Sequence, residues 1–227
     1  MNQRAMKRQL VREQTTTKRA PVFIAIIMPC PLTQLIDCKA AMWCTSQVAT
    51  GQAIWFPIPG RQAEDGRNFG IIQLLNDKHI THFFFLDADT IPPKGCIQKL
   101  LDHDKDFVGG VTPVYDWNKK RKAWNVTLDE SPKHELIIRD TVDCGEGAVA
   151  LPIEPFQAVG MGGTTMLVKR KVFDFISRPF FMTMRDDQGR MVLSEDLYFC
   201  KNVKTAGYDI WIDPSIVCTH RQLNDLL

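Results

Sequence analysis

The first part of the chain alternates short, wholly apolar runs with stretches in which apolar residues recur at helical spacing. Residues 22–28 form one such run, Val-Phe-Ile-Ala-Ile-Ile-Met, which ends at Pro29. Its length and branched side chains predict a strand buried on both faces, as in a parallel sheet. A second strand is predicted within Gln47–Phe56, and a third at His82–Leu86, the most apolar short run of the chain.

The two stretches between these strands have the spacing of amphipathic helices. They are residues 33–45 and Arg67–Lys78, and each has apolar side chains on a predicted inward face (Leu35, Cys38, Met42 and Trp43; Phe69, Ile72 and Leu75). The order strand, helix, strand, helix, strand predicts parallel strands joined by helical crossovers. Ligands on such sheets collect at the carboxyl ends of the strands.

The second half predicts helices at Gly95–His103 and Ser194–Thr205, and strands at Phe107–Val114, Thr164–Val168 and Ile210–Ile212. Ser194 is a residue type that caps helix N-termini, and a glycine follows the end of that helix. Residues 115–160 contain a charge-rich, hairpin-like region around predicted loops. The fold class predicted from these elements is α/β, with a mixed, mainly parallel sheet flanked by helices.

The length of 227 residues and an apolar content of 44% suit one globular domain with a sizeable core. We assign that domain to residues 21–227 and predict a flexible, basic N-terminal segment over residues 1–20. No stretch reaches the roughly 18 apolar residues of a membrane span, and the charged N-terminus lacks a signal-peptide core. The seven cysteines form no C-x-x-C pair, which favours reduced thiols in a cytoplasmic protein.

Positive charge is concentrated in two places, although the net charge is only +2. One is residues 1–20 and the other is Lys119, Lys120, Arg121 and Lys122. Because positive and negative charges nearly balance over the chain, we do not expect the whole surface of the protein to bind polyanions. The two clusters are either solvated segments or a surface that faces an anionic partner such as nucleic acid.

Asp87 and Asp89 follow directly on the third predicted strand. Carboxylates one residue apart in an extended segment project to the same side, and carboxylate oxygens are the ligands that hard divalent cations prefer. The alternative is that Asp89 or Thr90 only caps the helix that follows Pro92 and Pro93. An isolated D-x-D occurs often by chance, but its place at the end of a buried strand favours the metal.

Four further groups are candidates for chemistry. Glu195 and Asp196 open a predicted helix, where they either complement the helix dipole or provide a base that takes a proton from a hydroxyl. His220 is either a structural side chain or a metal ligand. Arg67 either begins a helix at the surface or pairs with a phosphate. The glycines around Gly162 either make a tight turn or let the backbone approach a ligand.

Taken together and in this order, these segments resemble the GT-A glycosyltransferases, especially the large inverting group that uses nucleotide-diphospho-sugars. The matching text is Val22–Pro29, Gly66-Arg67-Asn68, Phe83–Pro93, Gly162–Val168, and Ser194–Phe199 with Gly207, Tyr208 and His220. The resemblance covers residues 21–220 and is to the short, single-domain kind also seen in bacteria and their phages. It implies a GT-A (Rossmann-like) fold and a cytoplasmic location in a bacterial or phage-infected cell.

For donor binding, the resemblance implies that Pro29 and Cys30 border the nucleotide base and that Arg67 lies beside the nucleotide. Asp87 lies near the ribose and the metal, with Ala88 next to it. Gly162 and Gly163 form the wall between donor and acceptor. Cys30-Pro31 differs from the sequence that many members of this family have after the proline that ends the first strand. A UDP-sugar donor is favoured, while guanosine and cytidine stay open as the base.

For catalysis, the resemblance implies a divalent metal, Mn²⁺ or alternatively Mg²⁺, held by Asp87, Asp89 and His220. Asp196 is the base that deprotonates the acceptor hydroxyl, with Glu195 beside it. If configuration is retained instead of inverted, Asp196 positions the sugar. The acceptor stays open among a glycan, a protein and a modified nucleobase.

Two other functions are alternatives to a glycosyltransferase. A sugar-nucleotidyltransferase also uses aspartates and metal on an α/β sheet, but it needs a glycine-rich, basic loop after the first strand. Residues 29–35 contain neither glycine nor a basic residue, which disfavours it. A non-catalytic nucleotide- or nucleic-acid-binding protein would use the basic clusters and would not hydrolyse a donor.

Overall fold

The central feature of the computed structural model is a seven-stranded mixed sheet. The structure describes residues 21–32, 35–116, 121–128, 136–138 and 151–221, without the side chains of 115–116, 121–122 and 136–138. The strands in chain order are β1 (Ile24–Cys30), β2 (Ala53–Pro59), β3 (His82–Phe85), β4 (Thr90–Ile91), β5 (Phe107–Val111), β6 (Pro113–Asp116), β7 (Arg121–Thr127), β8 (Leu136–Ile138), β9 (Phe156–Ala158), β10 (Gly160–Met161), β11 (Met166–Lys169), β12 (Met184–Arg185), β13 (Met191–Leu193), β14 (Ile210–Val217) and β15 (Thr219–His220). The helices are α1 (Cys38–Val48), α2 (Ala63–Leu74), α3 (Cys96–Asp102) and α4 (Glu195–Thr205), with a 3₁₀ turn at Arg170–Asp174.

The sheet has the order β2-β1-β3-β11-β5-β14-β9. β1 pairs in parallel with β2 and β3, and β5 pairs in parallel with β14, while β11 and β9 are antiparallel to their neighbours. Five of the seven strands therefore run in one direction. The predicted fold class, a mixed, mainly parallel sheet flanked by helices, is confirmed.

Both faces of this sheet are buried, which explains why β1 and β3 have no polar alternation. Alternate strand residues such as Ile27 and Phe85 pack with Ile71 of α2 and Phe199 of α4. The residues between them, such as Phe84, pack with side chains of α1 and α3 on the opposite face. All seven residues of β1 are buried. The runs 22–28 and 82–86 thus form adjacent central strands, as predicted.

The first helix begins later than the sequence pattern predicts. It starts at Cys38, and Asp37 caps it by accepting hydrogen bonds from the amides of Lys39 and Ala40. Three of the predicted inward side chains are wrong, since Leu35 is 91% exposed, Met42 is 71% exposed and Cys38 is also exposed. The fourth, Trp43, is partly buried, and its ring lies 5.6 Å from that of Phe84. The buried residues of α1 are Ala40 and Cys44 instead.

Two other boundaries differ for identifiable reasons. β2 continues through Pro57 and Pro59, because it lies at the edge of the sheet, where a missing amide N–H is tolerated. Helix α2 spans Ala63–Leu74 rather than 67–78, and Ile72 on the predicted inward face is 40% exposed while Ile71 is buried. The hairpin-like region is an antiparallel pair of β6 and β7, joined by β10 and β8 in a second sheet.

Several predictions fall outside the described residues. These are the basic segment 1–20, Lys119, Lys120 and the side chains of Arg121 and Lys122. Six described cysteines are free thiols, five of them buried. Within the described ranges, no helix has the length and apolar character to cross a membrane.

A hydrogen-bonded pair of side chains, His103 and Asp213, joins the end of α3 to β14. His103 Nε2 lies 2.8 Å from Asp213 Oδ2, and the amide of Ser215 donates to Asp213 Oδ1 at 2.8 Å. Burial alone would raise the pKa of Asp213, but the hydrogen bonds from His103 and Ser215 lower it below its usual value. Ionised Asp213 therefore stabilises the fold. This contribution is present above the pKa of Asp213 in the unfolded chain, about 3.9, and is lost as the pH falls toward its lower pKa in the folded protein.

We expect Asp213→Asn to lower the free energy of unfolding at neutral pH by about 1–3 kcal/mol, because a buried charged hydrogen bond is lost. The difference from the wild type should shrink below about pH 4, where Asp213 becomes protonated in the unfolded chain. Urea unfolding at a series of pH values measures this. The matched control is Asp209→Asn, since Asp209 is exposed, and equal effects of both variants would contradict the assignment.

Candidate active site

A cleft of about 250 Å³ opens at the carboxyl ends of β1 and β3. The first turns of α2 and α4 and the short strand β15 complete it. Its lining contains most of the charged candidates from the sequence, together with neighbouring small residues (Pro29, Pro31, Gln62, Ala63, Arg67, Asp87, Ala88, Asp89, Gly163, Glu195, Asp196 and His220). The fold thus brings together residues that lie far apart along the chain.

Arg67 is at the base of this cleft, and only 2% of it is exposed. Its Nη2 donates to Asp87 Oδ1 at 2.6 Å, and its Nη1 donates to Glu195 Oε1 at 2.8 Å. The guanidinium carbon lies 5.5 Å from the centre of the Phe181 ring. The positive charge of Arg67 is therefore shared between two carboxylates from different elements. This contact places the end of β3 beside the start of α4.

Gly163 leaves room for that guanidinium. A Cβ at this position would lie 2.2 Å from Nη2 of Arg67 and 2.3 Å from its Cζ. Such distances are well inside van der Waals contact, and Arg67 is held by two ion pairs, so it has little freedom to move aside. The backbone at Gly163 approaches Arg67 in a way that no other residue type allows.

We expect Gly163→Ala to destabilise the fold by about 1–3 kcal/mol, the usual effect of overpacking, and to disturb the Arg67 ion pairs. Gly162→Ala is the control for stability, because a Cβ at Gly162 has its nearest contact at 3.1 Å. Thermal unfolding of both variants measures the difference. An equal melting temperature for the two variants would contradict this packing.

Asp196 lies at the first turn of α4, where three hydrogen bonds hold its carboxylate. The hydroxyl of Ser194 and the amide of Leu197 donate to Oδ1, the latter at 2.8 Å, and the amide of Gly163 donates to Oδ2 at 3.0 Å. Ser194 is the N-cap residue of α4 in backbone geometry, but its hydroxyl binds Asp196 and no backbone amide. The carboxylate is thus fixed at the cleft wall and can accept one further hydrogen bond from a group in the cleft.

Glu195, the neighbour of Asp196, faces the base of the cleft and its ion pair with Arg67. Burial and the charge of Asp196 raise the pKa of Glu195, although Arg67 opposes this effect. The two adjacent acids therefore differ in environment. Glu195 forms an ion pair with an arginine, whereas Asp196 accepts hydrogen bonds from uncharged groups.

His220 reaches the cleft because β15 pairs with β4, the short strand that follows Asp89. In this pair His220 lies opposite Thr90, and its Nε2 lies 3.4 Å from Asp89 Oδ2. The interaction with Asp89 raises the pKa of His220 against the opposing effect of burial. Asp87, by contrast, is turned toward Arg67. Among the residues that the structure describes, no group of three or more His, Cys, Asp or Glu side chains is arranged to hold a metal ion.

The donor-binding candidates line the same cleft except for two, Cys30 and Gly162. Pro29, Ala88 and Gly163 line it, and Gly162 lies next to Asp196 Oδ2. The side chain of Cys30 does not reach it, because the thiol is 6% exposed and packs in the apolar cluster under α1, where it donates to the carbonyl of Met28.

Sequence reasoning missed three residues near the site. Gln62 lines the cleft as the N-cap residue of α2, and Phe181 lies under the Arg67 guanidinium. Asn125 on β7 accepts a hydrogen bond from the amide of Gly162 through its carbonyl, at 2.7 Å. Gln62 makes no capping hydrogen bond, and glutamine is not a preferred N-cap residue, so a search for helix caps would not have found it. No local pattern marks Phe181 or Asn125, since both come close through tertiary packing.

Comparisons with known proteins bear on the fold. No family model matches the chain, and no curated protein is significantly similar to it in sequence. Among solved structures, A197 from STIV superposes with a TM-score of 0.56 at 17% identity, over 88% of this chain and 85% of that one.

Two further structures are more distant. GalNAc-T7, solved with UDP, GalNAc and Mn²⁺, gives a TM-score of 0.48 at 11% identity, over 89% of this chain and 44% of that one. The inositol-1-phosphate CTP transferase from T. maritima gives 0.45 at 12% identity, over 88% and 89% of the two chains. At these identities the likeness to A197 shows a shared fold, and the other two add no argument about function.

Proposed function

We propose that this protein is a metal-dependent glycosyltransferase that moves a sugar from a nucleotide-diphospho-sugar to an acceptor hydroxyl. The observation that carries the proposal is the convergence of Asp87, Asp89, Asp196 and His220 on one cleft at the carboxyl edge of the sheet. Ligands of α/β proteins bind at this edge. The resemblance of the same segments to GT-A enzymes supports the specific reaction.

The residues at the cleft mouth fit a divalent ion, for which Asp89 and His220 would be the protein ligands. A carboxylate oxygen and an imidazole nitrogen 3.4 Å apart suit Mn²⁺, and Mg²⁺ is the alternative. When bound, the ion acts as a Lewis acid toward the departing nucleoside diphosphate. Asp87 as a further ligand stays a prediction, because its Oδ1 already accepts from Arg67.

Asp196 would take the proton from the incoming hydroxyl. Its hydrogen bonds to Ser194, Leu197 and Gly163 keep the carboxylate in one orientation before the acceptor arrives, which reduces the ordering needed in the transition state. In a retaining reaction the same carboxylate would position the sugar. Glu195 contributes through Arg67 rather than through the acceptor.

Arg67 is primarily a positioning residue in this proposal, since its two ion pairs fix Asp87 and Glu195 relative to each other. Pro29 and Pro31 line the side of the cleft where the nucleotide would lie, and a UDP-sugar is the favoured donor. The acceptor is a glycan, a protein or a modified nucleobase. The two basic clusters, which would favour a nucleic-acid acceptor, lie mostly outside the described residues.

A panel of nucleotide sugars tests the proposal. We expect one class of donor to raise the melting temperature of the purified protein in the presence of Mn²⁺ and to have no such effect in the presence of EDTA. The free nucleoside diphosphate of the same base should also stabilise the protein. If no nucleotide or nucleotide sugar shifts the melting temperature under either condition, the proposal is wrong.

We expect Asp89→Asn to remove the Mn²⁺-dependent part of that stabilisation, because the amide is a much weaker ligand for a hard cation. The melting temperature without ligand should stay within a few degrees of the wild type. Asp102→Asn is the control for the loss of a carboxylate, because Asp102 is exposed at the end of α3 and does not line the cleft. A variant at Asp89 with full metal-dependent donor binding would contradict the assignment of this ligand.

A further inference from the structure

His220 is placed beside Asp89 by a short segment, residues 219–221. Thr219 and His220 form β15, which pairs with β4 over two residues only. The amide of Arg221 then donates to the carbonyl of Asp89 at 3.0 Å. So short a pairing provides few backbone hydrogen bonds, and isolated two-stranded pairs are marginally stable in water. The position of the His220 imidazole, 3.4 Å from Asp89, therefore depends on what else holds this segment.

The side chain of Arg221 provides a further contact. Its Nη1 lies 3.5 Å from Oδ2 of Asp37, and the Arg221 side chain is 49% exposed whereas that of Asp37 is 8% exposed. The other oxygen of Asp37, Oδ1, accepts hydrogen bonds from the amides of Lys39 and Ala40 and caps α1. The positive charge beside Oδ2 offsets the cost of taking this carboxylate out of water. The pair thus joins the 219–221 segment to the first turn of α1.

The backbones of Asp37 and Arg221 also hold the loop that contains Asp89. The amide of Asp37 donates to the carbonyl of Ala88 at 2.8 Å, and the amide of Arg221 donates to the carbonyl of Asp89 at 3.0 Å. The two residues that bind these adjacent carbonyls are the same two whose side chains pair with each other. Contacts from α1 and from the 219–221 segment therefore fix the peptide groups on both sides of Asp89.

Neither Asp37 nor Arg221 is among the residues that line the cleft. Their side chains therefore act on the site through Asp89 and His220, which makes both of them positioning residues. An ion pair with one half-exposed partner contributes little to the stability of a whole fold. This pair, however, connects the two segments that carry the proposed metal ligands, so its effect is expected where those segments meet.

We propose that the Asp37–Arg221 pair holds the 219–221 segment in the position in which His220 and Asp89 bind a divalent ion together. This inference rests on the metal site of the proposed function and adds two positioning residues to it. Without the pair, the segment samples positions in which His220 has moved away from Asp89. The apparent dissociation constant of the ion rises in inverse proportion to the fraction of molecules with both ligands in place, so a decrease of that fraction to about one tenth raises it about tenfold.

Two variants remove the pair from opposite sides. Arg221→Gln removes the cation, and Asp37→Asn removes the negative charge but keeps an oxygen that can cap α1, since asparagine is a preferred N-cap residue. Arg221→Lys keeps the positive charge, and a single contact at 3.5 Å does not require the planar guanidinium. The matched control is Arg190→Gln, because Arg190 forms a surface ion pair with Asp186 and neither residue lines the cleft.

The readouts are the dissociation constant of Mn²⁺ in the presence of UDP, measured from the EPR signal of free Mn²⁺, and the dissociation constant of UDP and the melting temperature in EDTA. We expect Arg221→Gln and Asp37→Asn each to raise the Mn²⁺ dissociation constant about tenfold. The double variant should show no larger effect than either single variant, because both remove the same interaction. Arg221→Lys and Arg190→Gln should bind Mn²⁺ with near wild-type affinity. UDP binding in EDTA and the melting temperature should change little in every variant.

Three results would overturn the inference. The first is a wild-type Mn²⁺ dissociation constant in both Arg221→Gln and Asp37→Asn, whatever their melting temperatures. The second is a loss of Mn²⁺ affinity that adds up in the double variant or persists in Arg221→Lys. The third is weaker binding of UDP in EDTA by Arg221→Gln but not by Asp37→Asn, which would assign Arg221 to nucleotide binding. A wild-type protein that binds no Mn²⁺ with UDP or any other nucleoside diphosphate would instead overturn the proposed function, so the two failures are distinguishable.

Discussion

Asp196→Asn is expected to reduce sugar transfer and donor hydrolysis by about 10²- to 10⁴-fold, the usual contribution of a general base. Asparagine is close in shape and can still accept from Ser194 and Leu197 through Oδ1, but its Nδ2 cannot accept the hydrogen bond that the Gly163 amide gives to Oδ2. We therefore expect a small decrease in melting temperature, with the dissociation constant of the donor near the wild-type value. The measurement is kcat for hydrolysis of the donor with saturating Mn²⁺. Because the proton is transferred only in the transition state, the effect should be on kcat and not on KM.

The matched control for this variant is Asp209→Asn, which removes an exposed carboxylate shortly after α4. It should leave kcat unchanged. A decrease in kcat of less than about tenfold in Asp196→Asn would contradict the role of Asp196 as base. It would favour the alternative in which Asp196 positions the sugar in a retaining reaction.

The second large effect is expected from Arg67→Met. This change leaves Asp87 and Glu195 without their shared cation, and the loss of one partner from a buried ion pair typically costs about 3–5 kcal/mol. For a chain of this size, the melting temperature should fall by about 10 °C. Differential scanning calorimetry of the variant and the wild type measures it.

The pH dependence of the Arg67→Met effect follows from the same contacts. Burial and the charge of Asp196 already raise the pKa of Glu195, and Arg67 opposes this. Without Arg67 the pKa of Glu195 rises further above its unfolded value. Ionised Glu195 then destabilises the folded variant. This effect is absent below the pKa of Glu195 in the unfolded chain, about 4.3, and grows as the pH rises through its pKa in the folded protein. The deficit in melting temperature should therefore be larger at pH 7 than at pH 5.

Arg67→Lys is the control, because it keeps the positive charge but cannot donate to both carboxylates in the same fixed geometry. We expect an intermediate melting temperature. A melting temperature of Arg67→Met within about 2 °C of the wild type, a change below about 1 kcal/mol at this chain length, would show that the two ion pairs do not hold the cleft together.

The parts of the fold that could be predicted from the sequence are those in which burial dictates the residue pattern. β1 and β3 are covered on both faces, so their apolar runs have no competing interpretation. In α1 the apolar pattern was misleading, because Leu35 and Met42 are exposed. The cap residue Asp37 marks the true start of that helix more reliably than the hydrophobic spacing does.

The sequence could predict which residues are candidates for the site, but not the contacts between them. Asp87 and Asp89 were identified by their place at a strand end, and the structure places both in the cleft together with His220. The ion pair of Arg67 with Glu195 joins residues 128 positions apart, and no local pattern encodes it. The same holds for Asn125, whose closeness to Gly162 arises from the pairing of β7 with β10. Long-range contacts of this kind follow only from the assembled sheets.

The most direct test of the glycosyltransferase proposal is donor hydrolysis by the purified protein, followed by NMR of the released sugar. We expect release of a free sugar and a nucleoside diphosphate from one class of donor, dependent on Mn²⁺ and abolished by EDTA and by Asp196→Asn. Release of a nucleoside monophosphate with a sugar phosphate, or no turnover of any donor in the presence of Mn²⁺ or Mg²⁺, would contradict it.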